Sequence, residues 1–261
     1  MKTNNFKILA IGNSFSDDAF MWLDPILNSL GFVGNVVDSL YIGGCSIGTH
    51  FEKAMGDLPD YILKDNHGDR IEHQDYKMST ALKLCDWDII TIQQASGYSG
   101  VSGSYSKLCN LADYVKKLAP KARLLWNMTW AYESTSTHNH FSFYDCDQIK
   151  MYNSIVDTVK TVVLPSGIFT DIIPIGTAIQ NARTSFVGDN ITRDGFHLSY
   201  DFGRYIAALT VASIISGKSI KDITYRPNGV DLLHKKVAIE SVQNAIKKPL
   251  KITKSIINFD I

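Results

Sequence analysis

The sequence predicts an α/β protein: a five-stranded parallel sheet covered by helices on both faces. Short runs rich in β-branched residues alternate along the chain with helix-length amphipathic segments. The first run, Ile8–Ile11, lacks the polar alternation of a half-exposed strand and so suits the middle of such a sheet. No hairpin signal joins neighbouring strands, so the connections read as crossovers. With 261 residues and no interrupting linker, repeat or low-complexity segment, residues 1–261 read as one domain with a sizeable core.

The first strand stops at Gly12-Asn13-Ser14. Gly12 is expected to allow a sharp turn, and Ser14 is left at the carboxyl end of the strand, the edge where open parallel sheets bind ligands. A helix over Asp17–Leu30 follows, with acidic residues in its first turn. Taken alone, Ser14 reads equally as an ordinary helix cap. A second strand, Gly34–Ile42, ends at Gly43-Gly44, a pair expected where backbone approaches closely or takes a positive φ. The polar stretch between about Phe51 and Leu84 carries little signal and reads as a surface excursion around Asp65–Arg70.

The third strand, Asp86–Gln94, runs into a small-residue loop, Ala95–Ser104, at the same sheet edge as Ser14. A helix over Tyr105–Leu118, stopped by Pro120, leads to a fourth strand, Ala122–Met128. The loop after it carries Trp130, Tyr132, His138, His140, Phe141, Phe143 and Tyr144. It reads equally as the lining of a polar ligand pocket, suited to a sugar, and as a lid with its own small core. The apolar spacing of Asp147–Val163 predicts a helix, Ile168–Ile173 a fifth strand, and a short helix ends at Arg183.

Asp194 and His197 stand three apart across Gly195, near enough in a turn for the carboxylate to face the imidazole. Such a carboxylate fixes the tautomer and leaves the other ring nitrogen free to take a proton. The apolar helix Tyr200–Ile215 would anchor this loop. An Asp–His pair alone is commonly structural; with a serine at the end of the first strand the combination is more specific.

Composition narrows the classes further. Lys+Arg and Asp+Glu both total 26, and a net charge of zero argues against nucleic acid or an acidic membrane surface as partner. No apolar run is long enough to span a bilayer. No signal peptide is read before the first strand, so the expected compartment is the cytoplasm, or the periplasm or exterior if a signal was removed. Cys45, Cys85, Cys109 and Cys146 lack metal-type spacing and are expected as buried free thiols. His138-Asn-His140 offers two histidines without a third ligand, so no metal is expected. Neither a Gly-x-Gly-x-x-Gly nor a phosphate loop is present, which argues against a flavin or nucleotide cofactor.

With Gly-Asn-Ser-Phe-Ser at 12–16, Gly-Gly-Cys-Ser at 43–46, Gln-Gln-x-Ser at 93–96 and Thr-Arg-Asp-Gly-Phe-His-Leu at 192–198, the chain resembles the SGNH (GDSL-like) hydrolase superfamily, and more closely a bacterial branch of unknown function. The likeness spans roughly residues 6 to 215; residues 218–261, a helix around Val230–Ile246 and a basic tail, lie outside it. The resemblance implies a flavodoxin-like three-layer α/β/α sandwich and a serine esterase, with Ser14 as nucleophile, His197 as general base and acid, and Asp194 orienting His197. It implies an oxyanion hole from the backbone N–H groups of Ser14 and Gly44 and one side-chain amide. The family's usual asparagine block is replaced here by Gln93, Gln94 and Ser96. Gln94 is the expected donor, Gln93 a structural partner and Ser96 the remaining option. Short acyl esters, including O-acetyl groups on carbohydrate, are the implied substrates. His50, Trp130, Tyr132, Gln180 and Arg183 are pocket-lining candidates by position. The altered block also motivates a second reading, a carbohydrate-binding protein that keeps the fold without efficient turnover.

Overall fold

A computed structural model of the chain describes residues 5–65 and 70–258. In chain order the elements are β1 (Lys7–Gly12), α1 (Ser14–Phe20), α2 (Leu23–Ser29), β2 (Val36–Tyr41), α3 (Ile47–Met55), β3 (Tyr61–Asp65), β4 (Ile71–Tyr76), α4 (Met78–Leu82), β5 (Ile89–Ile92), α5 (Leu108–Leu118), β6 (Arg123–Asn127), α6 (Gln148–Thr158), β7 (Asp171–Ile173), α7 (Ile175–Ala182), α8 (Phe202–Ser216) and α9 (Leu232–Lys247). They form a central mixed sheet of seven strands, ordered β4-β3-β2-β1-β5-β6-β7, flanked by helices.

The five expected strands are all present and mutually parallel, from β2 through β7. The expectation of a purely parallel sheet is corrected by a hairpin, β3–β4, which extends it antiparallel beyond β2. β4 (Ile-Glu-His-Gln-Asp-Tyr) is exposed on both faces, so it shows no apolar period. A polar edge strand of this kind resists pairing with another chain and is hard to see in sequence. Residues 66–69, the middle of the expected surface excursion, lie outside the described residues.

The helix expected over Asp17–Leu30 is two helices, and the first begins earlier, at Ser14 itself. The cap of α1 is not Ser14 but Asn13, whose side chain accepts the N–H of Phe15. Gly12 is required by close approach rather than by an unusual turn: a Cβ there would lie 2.0 Å from Ser16 Oγ. On one side of the sheet α1, α2, α7, α8 and α9 pack together, so the C-terminal helix is part of the layer; α3, α4 and α5 pack together as well.

The carboxyl ends of the central strands are tied by buried amides. Gln93 Nε2 donates to Asn13 Oδ1 at 2.9 Å, while Gln93 Oε1 accepts from Asn127 Nδ2 at 2.8 Å and Ser16 Oγ at 2.9 Å. Asn13 Nδ2 also donates to the Cys45 carbonyl beyond β2, at 3.1 Å. Four strand ends, those of β2, β1, β5 and β6, are thereby held in one frame, since buried polar networks rigidify what they join when satisfied.

A second tie comes from Asp18, which is fully buried on α1. It accepts Arg204 Nε of α8 at 2.8 Å, Arg193 Nη1 at 3.0 Å and the backbone N–H of Leu198 at 2.8 Å. A buried carboxylate is tolerated only with such partners, and removing it strands two guanidinium groups. His50 of α3 is fully buried too, with Nδ1 3.1 Å from the Tyr61 hydroxyl of β3, so it does not line a pocket as expected. Burial lowers its pKa from 6.5 to about 3.

Two stability measurements follow from these buried groups. Asp18→Ala is expected to lose about 3–5 kcal/mol of unfolding free energy in urea titration. For His50, the unfolded chain binds a proton below pH 6.5 that the folded chain refuses until about pH 3, so its contribution falls as pH falls through that window. The stability advantage of wild type over His50→Leu should therefore shrink by about 2–3 kcal/mol between pH 7.5 and 4.5.

Candidate active site

Residues from two widely separated stretches meet at the carboxyl edge of the sheet. Ser14 opens α1; the loop after α7 folds back through a bridge between Thr192 and Leu198, closing a turn in which the Arg193 N–H donates to the His197 carbonyl at 2.9 Å. That turn brings Asp194 Oδ2 to 2.7 Å from His197 Nδ1, and His197 Nε2 to 2.8 Å from Ser14 Oγ. Asp194 Oδ1 accepts the backbone N–H groups of His197 at 2.8 Å and Phe196 at 3.2 Å. Burial opposes charge on Asp194, but the hydrogen bonds from the His197 ring and from these two amides outweigh it and hold the carboxyl below its usual range. With Nδ1–H donating to a carboxylate, Nε2 is the acceptor of the Ser14 hydroxyl proton.

The loop is braced from behind. The Trp130 indole donates to the Phe196 carbonyl at 2.8 Å and stacks on Phe15 at 4.1 Å. Trp130 is fully buried and holds the loop in place, so the expectation that it lines the pocket is corrected. Tyr132 is likewise fully buried, its hydroxyl 2.8 Å from Ser96 Oγ. Gln180 and Arg183 are buried in a separate network with Gln148, the Ala131 carbonyl and Asp189, which supports the loop after β6.

A cavity of about 300 Å³ opens over Ser14 and His197. Its floor and one side are the strand-end segments Asn13–Phe15, Gly43–Gly44 and Ala95–Gly97; its walls are the rings of Tyr41, Tyr98, His138, His140 and Phe196. The backbone N–H groups of Ser14 and Gly44 have no acceptor among the described residues. Gly44 sits at φ +62 with nothing near a would-be Cβ, so this glycine of the pair serves conformation rather than close approach.

The expected amide donor is elsewhere. Both amide hydrogens of Gln94 are engaged by Ser104, by its carbonyl at 3.1 Å and its hydroxyl at 3.0 Å. Its Oε1 accepts the N–H groups of Ile47 at 3.0 Å and Ala95 at 2.9 Å, so the side chain ties β5 to the start of α3 and does not reach the cavity. Gln93 belongs to the strand-end network, as expected of a structural partner. Of Gln93, Gln94 and Ser96, only Ser96 lines the cavity, beside Ala95.

Sequence reasoning overlooked Tyr41, Tyr98 and Phe196 as wall residues; each stands beside a recognised block, which was the available signal. His138 belongs to the aromatic loop and meets Phe196 edge-on at 4.7 Å. Its Nδ1 accepts the His140 N–H, which places the proton of the neutral ring on Nε2; burial and then the neighbouring His140 and His197 lower its pKa. Cys45 is buried and its thiol pushed up to about 12 by burial, whereas Cys109 and Cys146 are exposed, against the expectation of buried thiols throughout. Among the described residues no group of three His, Cys, Asp or Glu side chains is placed to hold a metal, and no helix is long and apolar enough to cross a membrane.

The fold has clear relatives among solved structures. The crystal structure of a DUF4886 family protein from Bacteroides uniformis superposes with a TM-score of 0.92 at 39% identity, covering 96% of this chain and 98% of the other. A GDSL-like lipase candidate from Parabacteroides merdae gives 0.54 at 12% identity, over 83% and 97% of the two chains. An SGNH hydrolase candidate from Slackia heliotrinireducens gives 0.50 at 18%, over 81% and 100%. At those identities the last two show a shared fold alone. No curated protein matches the sequence. The profile described as "Domain of unknown function (DUF4886)" matches residues 7–245, beyond the span of the recognised motifs and into α9, and the chain belongs to that family.

Proposed function

We propose that this protein is a serine esterase that cleaves short acyl esters, including O-acetyl groups on carbohydrate. The observation that carries the reading is the unbroken hydrogen-bond chain from Asp194 through His197 to Ser14 on the floor of an open cavity. His197 Nε2 takes the Ser14 proton as Oγ attacks the ester carbonyl carbon, and the carbonyl oxygen becomes an oxyanion facing the N–H groups of Ser14 and Gly44. Collapse breaks the ester C–O bond; His197 returns the proton to the leaving alcohol. Water, deprotonated by the same nitrogen, then attacks the acyl-serine and releases the acid. The depressed pKa of Asp194 keeps its carboxylate charged opposite the imidazolium that forms in each half-reaction.

The cavity of about 300 Å³ is at the small end for ligand sites, which favours a short acyl group. The aromatic walls offer flat apolar faces to a sugar ring carrying the ester. Against turnover stands the internal use of both glutamine amides, which leaves the alternative of a carbohydrate-binding protein with an idle serine.

A fluorophosphonate probe, with adducts mapped by peptide mass spectrometry, separates the two. Labelling is expected on Ser14, absent in Ser14→Ala and His197→Ala; folded wild-type protein that takes no label sinks the esterase reading. Asp194→Asn, which loses the carboxylate that fixes the tautomer, should slow labelling on the order of 10²–10⁴-fold.

A further inference from the structure

Resting on the esterase reading, we infer that the Ser96 hydroxyl is the side-chain donor of the oxyanion hole, aimed by the buried hydroxyl of Tyr132. The strand order carries the placement. β1 lies between β2 and β5, so the segments leaving those three strands, with Ser14, Gly44 and Ser96, border one cavity. Among the side chains of the Gln93–Ser96 block, both amides are turned away: Gln93 towards Asn13 and Asn127, Gln94 towards Ser104. Ser96 alone keeps a side-chain donor at the cavity surface.

Hydrogen-bond satisfaction sets the direction of that donor. The Tyr132 hydroxyl is fully enclosed and, among the described residues, has one partner, Ser96 Oγ at 2.8 Å. Were Ser96 to donate to Tyr132, the phenolic O–H would be buried without an acceptor, at a cost of about 1–3 kcal/mol. Tyr132 therefore donates, and Ser96 Oγ, having accepted, keeps its own proton for the cavity, where Ser96 is part-exposed. Burial also raises the Tyr132 pKa, so the phenol remains a donor throughout the working pH range. An O–H whose oxygen already accepts a hydrogen bond is the stronger donor, which suits an oxyanion more than a neutral carbonyl. Ser96 is thus catalytic in touching the developing charge, and Tyr132 is a positioning residue.

Steady-state kinetics on 4-nitrophenyl acetate, alongside Ser14 labelling, tests this. Ser96→Ala is expected to lower kcat on the order of 10²-fold with KM little changed, because the bond forms only to the oxyanion. Ser96→Thr, which restores the hydroxyl, should recover most of the loss. Tyr132→Phe should cost roughly tenfold in kcat, since the donor survives but is no longer aimed. Ser96→Ala leaves the Tyr132 hydroxyl without a partner, so the double variant Ser96→Ala/Tyr132→Phe, which leaves no orphan, serves as the structural control. It should match the kcat of Ser96→Ala. Full kcat in Ser96→Ala, or in the double variant, with Ser14 still labelled, overturns the assignment alone. A wild-type protein that neither labels nor turns over ester overturns the esterase reading and this assignment with it.

Discussion

A carboxylate out of reach of water, Asp18, holds together two stretches of chain that lie about 180 residues apart. Ser14 and Asp18 are one helical turn apart on α1, so they share a face of that helix. The Leu198 N–H and the Arg193 guanidinium come to Asp18 from the loop that carries Asp194 and His197, and Arg204 comes from α8. Loop and serine are thus registered against the same short helix. The Tyr200 ring lies under both guanidinium groups, at 4.9 and 4.8 Å, which keeps the arginines oriented where they approach solvent. A hydrogen bond of 2.8 Å between His197 and Ser14 requires positioning finer than a mobile loop provides, and the clamp supplies it from beneath.

The frame of strand ends does the same work from the other side. Asn13, Gln93 and Asn127 lock β1, β5 and β6 at the level where the backbone must present Ser14, and Gly12 is small so that Ser16 and Gln93 can close over it. Polar groups this deep have no competing water, so each bond is directional and the frame has one arrangement. Ser14 is thereby placed on a strand end and a helix start, and the loop that carries Asp194 and His197 is held against it by the clamp at Asp18.

What the sequence revealed follows from which signals are local. Continuous apolar runs identified β1, β5 and β6 because these strands are buried on both faces. β4 was invisible because an edge strand exposed on both faces carries no period, and β3, its partner, was lost with it. Asp194 and His197 could be paired because a three-residue turn leaves little freedom; their arrival at Ser14 depends on Asp18 and on the Trp130 bond to Phe196, contacts no local pattern encodes. Trp130, Tyr132 and His50 were misplaced for a common reason. Aromatic and imidazole side chains near a sheet edge serve equally as wall or as support, and burial is decided by long-range packing.

The two glutamines at the end of β5 show most sharply where local reading stops. Neighbours on an extended chain project in opposite directions, so Gln93 and Gln94 could never serve the same purpose. Gln93 turns to the strand-end frame and Gln94 to Ser104 and the start of α3. Gln94 has both amide hydrogens and its carbonyl oxygen engaged and Gln93 makes three buried bonds, so pulling either into the cavity would leave several buried groups unpaired. The block that resembles an amide-supplying motif in sequence has here turned both amides to construction. The Ser96 hydroxyl, next along the chain, belongs to a residue that lines the cavity. Hydroxyl polarity is set by whichever partner has no other choice, and here that partner is the enclosed phenol of Tyr132.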